Sequence, residues 1–135
     1  MNWKKFVITF VVVLIVTTMG SFVIHAMLLQ PDYQQNQALL RTEEDAAAYF
    51  PYMILNFFAF ALAFTWIYAQ GVEDKPWVGQ GIRFGLAVWL LNSVSGFLTY
   101  YAVQPWPGIT VARQIGFELP WMLVLGLAAA ALYRK

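Results

Sequence analysis

Most of the chain falls into four apolar runs, at about 6–29, 51–69, 78–103 and 109–133, separated by short polar breaks. Each run is about 20 residues or longer, the length an α-helix needs to cross a hydrocarbon layer of about 30 Å. None alternates apolar and polar residues as a barrel strand does, and in lipid a helix satisfies its own backbone where an open strand cannot. The expected fold is therefore all-α: a polytopic membrane protein, with 1–135 forming a single four-transmembrane-helix bundle. Composition agrees, with 61% apolar and 11% charged residues against about 45–50% and about 25% in soluble domains.

The breaks set the boundaries. The first run follows Trp3-Lys4-Lys5 and ends in bulky residues beyond His25. It is too long for the apolar core of about 7–15 residues in a cleaved secretory signal, so it reads as a retained first span. The segment 30–37 is polar, and Arg41-Thr-Glu-Glu-Asp45 resembles an N-capped turn leading toward the second span. Pro51 is expected at that span's helix start, where its missing N–H costs little. A tight polar turn at 70–77 and the sequence Gln104-Pro-Trp-Pro-Gly108 separate the remaining spans.

Four spans put both termini and the 71–77 turn on one side. That side holds Lys4, Lys5, Lys75, Arg83, Arg134 and Lys135, six of the 8 basic residues, while the other holds Arg41 and Arg113. By the positive-inside rule both termini are expected in the cytoplasm. The longer loop, with Asp32, Glu43, Glu44 and Asp45, then lies outside. Tyr49, Tyr52, Trp77, Tyr100, Trp106 and Tyr133 fall near span ends, as interfacial aromatics do.

Several chemistries are excluded or left without support. The chain has no cysteine and one histidine, so it holds no disulfide, no thiolate metal site and no cluster of imidazoles. A net charge of +1 gives no basic patch for nucleic acid. Phosphate-loop, zinc-protease and nucleophile-elbow motifs are all missing. Neither a cofactor nor a metal is expected, and the methionines within the spans read as packing residues.

Two features of the spans bear on function. In the third, Gly81, Gly85, Val88, Asn92, Gly96 and Thr99 recur at helical spacing and form one small, weakly polar stripe. Such stripes let helices approach closely in lipid, so Gly81, Gly85, Asn92 and Gly96 are candidate packing residues. The stripe's expected partner is another helix of the same chain, or otherwise a homo-oligomer or a partner membrane subunit. Asn92 is expected to hydrogen-bond across to a neighbouring helix.

The second feature is one of depth. At about 1.5 Å per residue, Glu118 lies roughly 22 Å above Tyr133, inside the outer leaflet. His25, Asn56 and Tyr100 fall in the same layer, with Arg113 and Gln114 just above it. Acids within spans are costly and point to function by default, and a carboxyl in hydrocarbon needs a partner to ionise. One reading is a ligand-binding or proton-handling pocket with Glu118 as acid or base, His25 as its partner, and Asn56 and Tyr100 orienting. The plainer reading has Glu118 satisfied by Gln114, Arg113 and interfacial water beside Pro120.

The stretch Phe64-Thr-Trp-Ile-Tyr-Ala-Gln-Gly-Val-Glu-Asp-Lys-Pro-Trp77, with Gly81-Ile-Arg-Phe-Gly85 and Tyr100-Tyr-Ala-Val-Gln-Pro105, resembles an uncharacterised family of small four-span bacterial inner-membrane proteins. The resemblance covers most of the chain from His25 onward. It implies a bacterial inner membrane and brings no activity, cofactor or catalytic residue. The leading expectation is an accessory or interaction subunit of a membrane assembly, packing through the third span. The alternative is a small-ligand or proton-coupled carrier using the outer-leaflet pocket, and an enzyme has the least support.

Overall fold

The computed structural model describes Met1–Lys135 and is all-helical, with four helices long and apolar enough to cross a membrane. These are α1 (Trp3–Leu28), α3 (Glu43–Gly71), α4 (Trp77–Val103) and α5 (Gly108–Leu132). A short fifth helix, α2 (Gln30–Gln35), lies in the first loop. The outward surface is apolar: Ile15 is 53% exposed, Leu62 52% and Leu91 75%. So continuous an apolar face on every side is foreign to soluble monomers.

Capping explains where the helices begin. Asn2 caps α1 by accepting the Lys5 N–H at 3.0 Å. Thr42 caps α3, accepting from the Asp45 N–H at 3.3 Å, and Glu43, Glu44 and Asp45 fill the first turn, where acids favour the helix dipole. Arg41 reinforces that turn by pairing with Asp45 at 2.7 Å and lying 3.7 Å over the Tyr49 ring. The helix therefore starts before the apolar run does, and Pro51 lies inside α3 rather than at its start. Its missing N–H leaves the Ala47 carbonyl without an intrahelical donor. Ala47 is exposed, so the vacancy falls where solvent can fill it. At the other end of α3, Gln80 clamps the turn by accepting from the Glu73 N–H at 2.9 Å and donating to the Glu73 and Lys75 carbonyls. Lys75 pairs with Glu73 and holds its carboxyl below the usual carboxylate range.

The bundle is not a closed square. α1 packs on α3 and α5, and α5 in turn packs along α4. The α4–α5 crossing is made by glycine. A Cβ on Gly81 would stand 2.8 Å from the Gly126 carbonyl oxygen, and one on Gly85 would stand 2.5 Å from the Met122 carbonyl oxygen. The Gly81–Gly85 pair thus packs within the chain. α3 and α4 meet through rings, Phe84 against Phe64 at 4.7 Å and against Tyr68 at 5.2 Å.

The apolar core fills one half of the bundle, the end that carries the termini. Phe6 and Val13 of α1, Ala61, Phe64 and Tyr68 of α3, and Met122, Leu125 and Ala129 of α5 are buried there. There too the chain ends are tied, the Tyr133 hydroxyl accepting from the Asn2 N–H at 2.9 Å.

Two helices change pitch in the opposite half. α1 becomes π-helical over Phe22–Leu28 and α4 over Trp89–Val94. A π turn adds a residue and rotates everything after it relative to an α-helical register. This divides the third-span stripe. Gly81 and Gly85 face α5, whereas Gly96 has no atom within 4 Å of where a Cβ would stand. The Asn92 side chain, expected to bond across to another helix, makes no hydrogen bond within the protein, and it lines a cavity together with Gly96.

Candidate functional site

The half of the bundle without a packed core encloses a cavity of about 430 Å³. His25 reaches it from the π-helical end of α1, Asn56 from α3, Asn92 and Tyr100 from α4, and Glu118 from α5. The rest of its wall is largely aromatic or thioether: Met53, Phe57, Phe60, Phe97, Trp121 and Met122. Asn56, Asn92 and Tyr100 are exposed and their side chains make no hydrogen bond within the protein, so the cavity opens sideways between α3 and the upper part of α4. Trp121 forms the floor by packing against Gly20 and donating its indole N–H to the Val16 carbonyl at 3.0 Å.

Glu118 is paired with His25. His25 Nε2 lies 3.1 Å from Glu118 Oε1, and His25 Nδ1 lies 2.6 Å from the Tyr33 hydroxyl on α2. Gln114, one turn before Glu118, donates its amide to the same hydroxyl at 3.2 Å. These contacts order the protons. Since Tyr33 accepts from Gln114, its own O–H is available to donate to His25 Nδ1; Nε2 then carries the ring proton and donates to the Glu118 carboxylate. The other carboxylate oxygen, Oε2, receives no hydrogen bond from the protein.

Burial pushes the Tyr33 phenol above its ordinary value, with the nearby Glu118 and Asp32 adding to the effect against the Gln114 hydrogen bond. A phenol raised in the folded state stabilises the fold below its unfolded value of about 10, and that contribution is lost as pH rises through the higher folded value. In an absorbance titration at high pH, Tyr33 is therefore expected to ionise above the ordinary phenol value of about 10. A Tyr33→Phe variant that removed no late-titrating phenol would contradict this.

Arg113 does not reach Glu118. Its guanidinium holds Asp32, with Nη1 at 3.0 and 3.1 Å from the two carboxylate oxygens, and the Thr110 hydroxyl donates to the same group at 3.0 Å. Asp32 is 7% exposed, so it is a second buried acid where the loop reading anticipated a solvated one. This pair pins α2 across the start of α5. Tyr33 is held between the His25 ring, stacked at 6.0 Å, and Trp106, edge-on at 5.9 Å. The plainer reading of Glu118 is thus replaced at both contacts: Gln114 is used by Tyr33 and Arg113 by Asp32.

His25, Asn56, Tyr100 and Glu118, expected in one layer, all line the one cavity. Sequence reasoning misses Asp32 and Tyr33 as partners, and it assigns Gln114 to Glu118 where the structure gives it to Tyr33. The one signal available was the facing of Asp32 and Arg113 across a single loop end. No cluster of residues suited to a metal ion occurs. No family model matches the chain, nor does any curated protein or solved structure. What the site does is therefore argued from its own geometry.

Proposed function

We propose that this is a membrane-embedded binding protein or carrier for a small amphipathic molecule, which enters the cavity between α3 and α4. The observation carrying this reading is the paired Glu118 and His25 on the wall of a cavity that is otherwise mostly aromatic and thioether. A pocket of hundreds of Å³ with a few convergent polar groups in an apolar lining is the usual form of a small-molecule site. Buried ionisable groups in a span mark such sites by default. The charge distribution supports both termini in the cytoplasm, which puts the cavity in the outer leaflet, and a bacterial inner membrane is what the resemblance noted above implies. The lipid bilayer is then the protein's first partner.

The accessory-subunit reading would need another surface, because Gly81 and Gly85 are covered by α5. What α4 offers a second copy or a partner subunit is its exposed outer face, around Ile82, Leu86 and Leu90.

The methionines supply the test. Met53 and Met122 line the cavity, whereas Met19 and Met27 lie on the outer surface, 59% and 58% exposed. In protein carrying ¹³C-methyl methionine in lipid nanodiscs, phenethyl alcohol is expected to shift the Met53 and Met122 signals and leave Met19 and Met27 unmoved. Gly96→Trp, which fills the cavity, is expected to abolish the response. Equal shifts at all four methyls would mean partitioning into lipid and would end the proposal.

A further inference from the structure

We infer that the cavity is selective for an organic cation, an amine or quaternary ammonium group on an apolar body. This inference rests on the binding reading above and names its ligand class. Charge around the cavity is distributed unevenly among the helices. α3 contributes Met53, Asn56, Phe57 and Phe60, none of them charged, and α4 contributes Asn92 and the Tyr100 phenol. α1 brings His25, whose ring nitrogens are both engaged within the protein, Nδ1 by the Tyr33 hydroxyl and Nε2 by Glu118 itself. α5 brings Glu118. The nearest fixed cation, Arg113, is neutralised by Asp32. Glu118 is therefore the one acid on the cavity wall, no Lys or Arg lines the cavity beside it, and its Oε2 takes no donor from the protein.

Such a charge in a low-dielectric wall needs a cation to complete it. The surroundings suit a large, weakly hydrated one. Phe97 lies against the His25 ring at 6.3 Å, and Tyr100 and Trp121 line the same space. Aromatic faces attract ammonium groups through the ring quadrupole, and aromatic cages are the common recognition device for quaternary ammonium. A small hydrated metal ion would instead ask for several oxygen ligands, and the cavity offers one carboxyl group with no second acid beside it. An anion would meet Glu118 unopposed.

The test uses two probes of one shape, benzyltrimethylammonium and its neutral carbon analogue neopentylbenzene, read by the Met53 and Met122 methyl signals in nanodiscs. The cation is expected to bind at least tenfold more tightly than the analogue. Glu118→Gln is expected to bring the two affinities within about twofold of each other, and Met53 and Met122 shifts that persist with neopentylbenzene show that the cavity is still formed. Tyr33→Phe removes the hydroxyl that keeps His25 Nδ1 an acceptor, and is expected to weaken the cation alone. Equal affinity for the two probes in the wild type, or a preference that survives Glu118→Gln, overturns the cation inference and leaves the binding reading standing. No shift with either probe overturns both.

Discussion

Gly126→Leu is expected to cost about 3 kcal/mol or more of stability, beyond the usual 1–3 for an overpacked core. A Cβ at this position would run into the Gly81 carbonyl oxygen and stand 2.9 Å from the Gly85 nitrogen and 3.0 Å from its Cα. All three are backbone atoms of a helix, which cannot swing aside as a side chain can. α4 and α5 must separate, and the Trp89 indole, which donates to the Ile115 carbonyl at 2.9 Å, loses its acceptor as they do. In lipid the loss is not softened by water exclusion, because close packing itself drives helix association there. Circular dichroism during denaturation in mixed micelles gives the measurement. Gly116→Ala, with open space at the same atom, is the matched control and is expected to fall within about 0.5 kcal/mol of wild type. Two variants melting alike would show that the crossing is looser than described.

The second large effect is at the cavity floor. Trp121→Ala is expected to cost about 3 kcal/mol, since it removes the indole packed on Gly20 and its bond to the Val16 carbonyl. Gly20→Ala is expected to cost about 2 kcal/mol, because the new methyl would occupy the space of the indole itself. The two costs cannot both be paid in one molecule. With the indole gone, the methyl at residue 20 meets nothing, so the double variant is expected to be more stable than the sum of the singles predicts, by at least about 1 kcal/mol. Additive losses would place the strain of Gly20→Ala elsewhere in α1.

What could be read from the sequence follows from how far each inference had to reach. The four helices depend on run length and composition alone, both of which are local. The common layer of His25, Asn56, Tyr100 and Glu118 needed only a rise per residue, and that arithmetic survives folding because it ignores rotation about the helix. Rotation is where it fails. A periodic stripe from Gly81 to Thr99 presumes an unbroken α-helix, and the π turn at Trp89–Val94 moves Asn92 and Gly96 off that face with no residue to announce it. The 30–37 segment reads as a solvated loop because most of it is one, with Gln30, Gln34, Gln35 and Gln37 exposed, and only tertiary contact with Thr110 and Arg113 sets the buried Asp32 apart. Pro51 misled for a related reason: a proline marks a helix start only when no stronger cap lies upstream, and Thr42 with three acids is one.

The ring contacts between α3 and α4 lie toward the end that carries the termini, and above them the two helices stand apart around the cavity mouth. In a bilayer that mouth faces acyl chains rather than water. A guest would then equilibrate with the protein from the lipid phase, at its mole fraction there. Its occupancy would track the lipid-to-protein ratio and its own partition coefficient, so dissociation constants obtained at different amounts of lipid would agree only when expressed per lipid molecule.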